Sequence, residues 1–170
     1  STYEEEIETV WPGIGELRIT AQRQADFFGW DECEFGPDIE FSGNAKVQVW
    51  KGGKKTGWED VKWRGPVPEW AQFTVYKRLH GERVQLKGPR VYFLETYSPV
   101  GRFNPCPNER WQRSPRQMIE KCAEAAALRR AWPDVFGDEA GYEEMEGKTI
   151  FSGNASGIVP SNEEEKPEGE

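Results

Sequence analysis

Between Asn44 and Tyr97 polar and apolar residues alternate with period two, which predicts strands with one face turned inward. Lys46-Val47-Gln48-Val49-Trp50 alternates strictly, Lys51-Gly52-Gly53-Lys54 supplies a turn, and Trp58 to Trp63 reads as the return strand. Ala71 to Lys77 alternates again, and His80-Gly81-Glu82 turns the chain. Arg83 to Lys87 and Arg90 to Tyr97 complete an expected antiparallel β-meander of four or five strands.

Helical patterns flank this region. Thr20 is placed as the N-cap of a short helix over 21–28 that Gly29 closes. Ser98 to Arg110 holds three prolines and a glycine and reads as a loop. The clearest helix follows, with Ser114 as N-cap, Pro115 at the first helical position and Gln117 at capping-box spacing. Met118 to Arg130 contains strong helix formers throughout, and Trp132 before Pro133 marks the stop. At about 100° per residue, Met118, Ile119, Cys122, Ala125 and Ala126 share one arc of roughly 120°, the expected buried face. The predicted fold class is therefore α+β, a meander packed with a short N-terminal helix and a longer capped one.

Charge divides the chain. The formal net charge is −8, yet residues 1–16 carry five Glu and no base. Residues 135–170 carry ten acids against Lys148 and Lys166. The span 46–133 holds 18 basic and eight acidic residues, a net of +10, so a basic body lies between acidic ends. The organisation read from this is an acidic lead-in over 1–16, a core domain over 17–147 and a disordered acidic tail over 148–170. No apolar run approaches the roughly 20 residues of a membrane span. Cys33, Cys106 and Cys122 are odd in number and widely spaced, and His80 is the one histidine. That set suits neither a zinc site nor a disulfide framework, and a reducing cytoplasm is the natural setting.

Candidate chemistry is binding chemistry. Arg129 falls inside the apolar arc of the long helix, where a guanidinium must be paired or must reach an anion. A structural salt bridge and a phosphate contact both satisfy that demand. Arg113, Arg116 and Arg130 project nearer the opposite face, and Lys121 lies between the two. Lys51, Lys54 and Lys55 sit on a glycine-flanked turn that can follow a phosphate backbone, although an ordinary exposed turn has the same composition. Eight Trp, nine Phe and five Tyr supply both a core and rings for base stacking. Trp50, Trp58, Trp63 and Trp70 are expected mainly in the core or on a sheet face. Asp26, Asp31, Glu32, Glu34, Asp38 and Glu40 cluster before the sheet, but no Lys or His accompanies them in a nuclease spacing. No phosphate-cradling glycine motif is present, so neither catalysis nor a cofactor is expected.

The stretch Trp111-Gln112-Arg113-Ser114-Pro115-Arg116-Gln117 through Lys121-Cys122-Ala123-Glu124 to Leu128-Arg129-Arg130-Ala131-Trp132-Pro133 resembles the signature of the RecT/Bet family of phage recombination proteins. Gly141-Tyr142-Glu143-Glu144-Met145 is similar to a downstream family segment, and Arg23 to Gly29 with Pro37 to Gly43 matches more loosely. The resemblance covers roughly 18–146 and is most specific over 111–133. It implies an α+β core and ATP-independent binding of single-stranded DNA, with annealing of complementary strands to duplex. It further implies a homo-oligomer, ring or helical filament, in the bacterial cytoplasm. The implied partners are a phage 5′→3′ exonuclease and the host single-strand binding protein. Lys121, Arg129 and Arg130 match basic positions of the family helix. The chain departs from the family in its acidic start and in the Ser98–Arg110 loop. A non-annealing binding or interaction module of the same fold is the alternative from a different class.

Overall fold

The computed structural model describes residues 13–100 and 105–137. The start of the acidic lead-in, the Gly141–Met145 segment and the acidic tail lie outside the described residues. The α+β class holds, with helices packed on antiparallel strands.

Helix α1 spans Ile14–Gln22, and Ile14, Leu17 and Ala21 form its buried stripe at positions i, i+3 and i+7. It begins at Ile14 and contains Thr20, so the expected cap at Thr20 and helix over 21–28 are corrected. Gly13 stands at the N-cap position. The aromatic run Phe27–Trp30 forms strand β1 instead, because rings pack better on a pleated surface than around a short helix. Gly29, at φ +106°, supplies the irregularity in its pairing and ends no helix.

Strand β2 is Glu34–Phe35, and β3 (Asp38–Lys51) and β4 (Lys54–Pro68) form a long hairpin. Both strands outrun the expected Lys46–Trp50 and Trp58–Trp63 segments. Gly52 and Gly53 have φ of +58° and +75°, the geometry that a two-residue hairpin turn requires. Strand β5 is Trp70–Gln72, β6 is Thr74–Leu79, β7 is Glu82–Lys87 and β8 is Val91–Tyr92. These strands do not form one continuous meander. They pair as β1-β6-β7, β2-β5-β8 and β3-β4. The turn at His80-Gly81 stands where the sequence puts it, with φ of +52° and +78°. After β8 the chain turns into helix α2, Phe93–Thr96, which corrects the strand expected to Tyr97.

Helix α3 is Glu109–Arg113, so Glu109 and Arg110 belong to a helix and not to the preceding loop. Asn108 caps it, its Oδ1 accepting from the Trp111 amide at 3.1 Å. Helix α4 is Pro115–Ala131, and Pro133–Phe136 forms α5 beyond the Trp132 break. Ser114 stands at the N-cap of α4, but its side chain makes no capping bond; its carbonyl accepts from the Met118 amide.

Helix α4 is the axis of the fold. Met118, Ile119, Cys122, Ala123, Ala125, Ala127, Leu128 and Ala131 are buried, a wider face than one arc. Ala126, expected inside, is only partly buried. Small residues let neighbours approach closely. A Cβ on Gly88 would lie 2.6 Å from the Ala127 Cβ and 2.8 Å from the Phe73 carbonyl oxygen.

One carboxylate lies inside this apolar centre. Glu124 is 2 % exposed. The Arg18 Nε donates to its Oε1 at 2.6 Å and the Arg18 Nη2 to its Oε2 at 2.7 Å. This fork ties α1 to the middle of α4. A second knot ties the far end of α4 to the sheet. Lys77 Nζ donates to the Ala131 carbonyl at 2.7 Å and pairs with Asp26 at 3.1 Å, while Trp132 Nε1 donates to Asp26 at 2.8 Å. Burial alone would raise the Asp26 carboxyl. The bonds from Trp132 and Lys77 outweigh it and hold that carboxyl below its ordinary value.

Arg18→Ala strands a buried carboxylate and should cost about 3 kcal/mol of unfolding free energy in a urea titration. A loss under about 1 kcal/mol would show that the pair does not hold α1 in place.

Candidate nucleic-acid interface

The β3–β4 hairpin leaves the body as an arm. Phe41, Gly43 and Ala45 are buried and alternate with exposed Ser42, Asn44 and Lys46, whereas residues 50–60 are exposed throughout. Lys51 lies six residues beyond Ala45, so the ribbon extends about 20 Å past the last buried residue of β3. Rings anchor its base. Phe41 lies 5.8 Å from Trp63, 5.8 Å from Phe93 and 5.3 Å from Tyr97, centroid to centroid. Register and turn thus place Lys51 directly opposite Lys54, and Trp50 opposite Lys55. The Lys55 ammonium sits 5.3 Å from the Trp50 ring centroid.

Trp50 and Trp58 are 59 % and 68 % exposed. Of the two places expected for them, the core or a sheet face, they take the sheet face. They alternate correctly for a strand, but among the described residues no layer covers the strand there. Trp63 is half-buried against Phe41, and Trp70 is half-buried beneath the Arg90 guanidinium at 4.2 Å. Exposed indoles beside lysines offer stacking and phosphate contact together.

The other basic residues singled out in the sequence do not converge on that tip. Arg113 ends α3 and pairs with Glu109 at 2.5 Å. Arg116 opens α4, pairs with Asp38 at 3.3 Å and lies over Phe35 at 4.7 Å. Lys121 is partly buried in mid-helix, Arg129 is half-buried in the last turn with its Nε shielded from solvent, and Arg130 is exposed. Thirteen residues of helix put Arg116 and Arg129 about 20 Å apart along the axis. The structure therefore sorts the basic residues into an arm tip, an α3–α4 junction, the middle of α4 and its terminus.

A second hairpin carries a similar arrangement that sequence reading missed. In the β6–β7 register Arg78 stands directly opposite Arg83. Their guanidinium carbons lie 4.8 Å and 5.8 Å from the Phe28 ring centroid, and Arg83 lies 3.6 Å from that of Tyr76. The two-residue turn at His80-Gly81 was the available signal, since it sets which residues face each other.

The cleft that Asp31 shares with this hairpin, its carboxylate accepting from Tyr76, has the wrong sign for DNA. It encloses about 590 Å³ above Trp30 and Phe73, where Asp31, Glu32, Glu120 and Glu124 outnumber Arg18. Cys33 lines it too, and burial reinforced by the Glu120 charge pushes its thiol up to about 12, so it stays protonated and unreactive. The acidic residues ahead of the sheet are dispersed among separate partners: Asp26 with Lys77, Glu34 with Lys87, Asp38 with Arg116 and Glu40 with Arg64.

Two hairpin ends with like charges in register, beside exposed rings, mark an α+β domain that presents its basic surface on strands. The chain belongs to the RecT family, whose family model matches residues 9–157. No curated protein and no solved structure matches it.

Trp50→Ala and Trp58→Ala should each leave the unfolding free energy within about 0.5 kcal/mol of the parent, because neither ring is covered. Denaturation followed by far-ultraviolet dichroism checks this, and a loss of 2 kcal/mol or more would mean that the arm folds back on the body.

Proposed function

We propose that the chain binds single-stranded DNA and anneals complementary strands without ATP, as a non-catalytic component of phage homologous recombination. The observation that carries this reading is an exposed arm bearing Trp50, Trp58, Lys51, Lys54 and Lys55, in a chain that belongs to the RecT family. Indole rings stack on unpaired bases without regard to sequence, and the lysines neutralise the backbone beside them. Lys121, Arg129 and Arg130 form the second part of the proposed contact, along the terminal half of α4, with Arg113 and Arg116 near its start. The core domain proper runs over 17–147, and the acidic segment 148–170 competes with phosphate for the basic body. A homo-oligomer, ring or filament, would set these surfaces side by side along one strand. A phage 5′→3′ exonuclease would supply that strand, and contact with the host single-strand binding protein would hand it over, all in the bacterial cytoplasm. These last assignments draw on the family resemblance.

Annealing is tested by mixing two complementary oligonucleotides, one fluorescent and one quenching, with protein and no nucleotide. Quenching faster than the protein-free control is expected, and Lys51→Ala/Lys54→Ala/Lys55→Ala should slow it. With about four phosphates covered per subunit, log affinity should fall against log salt with a slope of roughly −3. Binding without accelerated quenching would leave a binding module that does not anneal. Affinity indifferent to salt would remove the electrostatic basis altogether.

Arg129 separates a structural from a binding role. Arg129→Ala should hold stability within about 1 kcal/mol while weakening DNA binding by a comparable or larger amount. Arg129→Lys keeps the charge and loses the bidentate fork, so it should recover only part of the affinity. A stability loss of about 3–5 kcal/mol with normal binding by the folded fraction would make Arg129 half of a structural pair.

A further inference from the structure

Among the described residues, no layer covers the outer face of the β1-β6-β7 sheet. Val75 and Leu86 are paired in register and turn toward α4, as does Lys77, whose ammonium reaches the Ala131 carbonyl. The alternate residues Tyr76, Arg78, Arg83 and Gln85 must then point the other way, and Phe28 joins them from β1. Phe28, Arg78, Arg83 and Gln85 are exposed. Tyr76 is braced from both sides: its hydroxyl donates to Asp31 Oδ2 at 2.6 Å and accepts from Gln85 Nε2 at 3.4 Å.

Two arginines directly opposite each other on one face repel, and a free hairpin gains nothing from that placement. Among the described residues neither Arg78 nor Arg83 makes an ion pair. Both guanidiniums instead lie against rings, Arg78 and Arg83 by Phe28 and Arg83 by Tyr76. The rings restrain the planes, so two forks of N–H donors stand side by side with little entropy left to lose. An anion between them would relieve the repulsion that the rings leave. A phosphodiester has the charge and the paired oxygens to bridge two such forks.

We propose that this sheet face is a second contact for single-stranded nucleic acid, in which Arg78 and Arg83 clamp the backbone and the ring-supported guanidinium planes meet an adjacent base. It rests on the single-strand binding proposed above and adds a site to it, separate from the arm and from α4. A strand would then engage both hairpins, with the Asp31 carboxylate that accepts from Tyr76 at the margin of this face. A stacked duplex cannot offer a splayed base to the platform, so the site favours single strands.

The test is fluorescence anisotropy of a labelled oligothymidylate titrated with the full chain, Arg78→Ala/Arg83→Ala and Arg83→Lys, repeated over a range of salt. Both variants should melt with the parent, since the altered side chains are exposed. Arg78→Ala/Arg83→Ala should bind at least about tenfold more weakly, for two lost charge-assisted contacts. Its salt slope should be shallower by about 1.4, for two phosphates released. Arg83→Lys should keep the parent slope and lose part of the affinity, because an ammonium keeps the charge but not the stacked plane. Unchanged affinity and slope in the double variant, with parent binding intact, would overturn this site alone. A weaker affinity with an unchanged slope would overturn the backbone clamp. A parent chain that binds no oligothymidylate would overturn this site and the wider functional reading together.

Discussion

Glu124 is a carboxylate that the rest of the fold must accommodate. Nearly inaccessible in the middle of α4, it needs Arg18, whose two nitrogens meet its two oxygens. The pair sets where α1 can lie, and the turn after α1 then delivers Phe27 to Trp30 to the edge of β6. The Asp26–Lys77–Trp132 knot closes the same circuit at the far end of α4. Two polar ties thus clamp a helix whose alanines make close contact possible but specify little alone. An all-apolar helix of this composition could rotate or slide; a buried fork with one partner cannot.

With the helix clamped, each of the strand pairs is anchored on one side and open on the other. The β3–β4 ribbon depends on this most, since an isolated two-stranded hairpin is marginal in water. Its base borrows stability from Phe41, Trp63, Phe93 and Tyr97, and its tip is left to carry exposed indoles and lysines. The β6–β7 hairpin has the same division, with Val75 and Leu86 inward and Tyr76, Arg78 and Arg83 outward. On the proposed reading a polyanion meets both hairpins as well as the terminal half of α4, while the acidic cleft beside α1 repels it.

The basic residues of α3 and α4 play a less uniform part. Arg113 and Arg116 have carboxylate neighbours at the α3–α4 junction, and exposed pairs of this kind contribute little to stability. Their guanidiniums can exchange such a partner for phosphate at small cost. Arg129, half-buried near the Trp132 break, is differently placed, because its surroundings restrict where the guanidinium can turn.

By itself the sequence determined the local features that short-range physics controls. Period-two alternation located the hairpins. Paired glycines at 52–53 and the His80-Gly81 turn located their ends, because few residues accept those backbone angles. Pro115 and Trp132-Pro133 bounded the long helix, and the motif around Lys121 to Trp132 carried the family. What remained open is what distant contacts decide. Whether Phe27 to Trp30 is the end of a helix or a strand depends on β6, far along the chain, offering an edge. Whether Trp50 and Trp63 are covered depends on how far the ribbon outruns the body, since both alternate equally well. That Glu124 is buried depends on Arg18, 106 residues away, and no periodicity within α4 announces it. The pairing of Arg78 with Arg83 follows from a turn the sequence did show. That they share an open face with Phe28 required the third strand, which only the folded chain brings alongside.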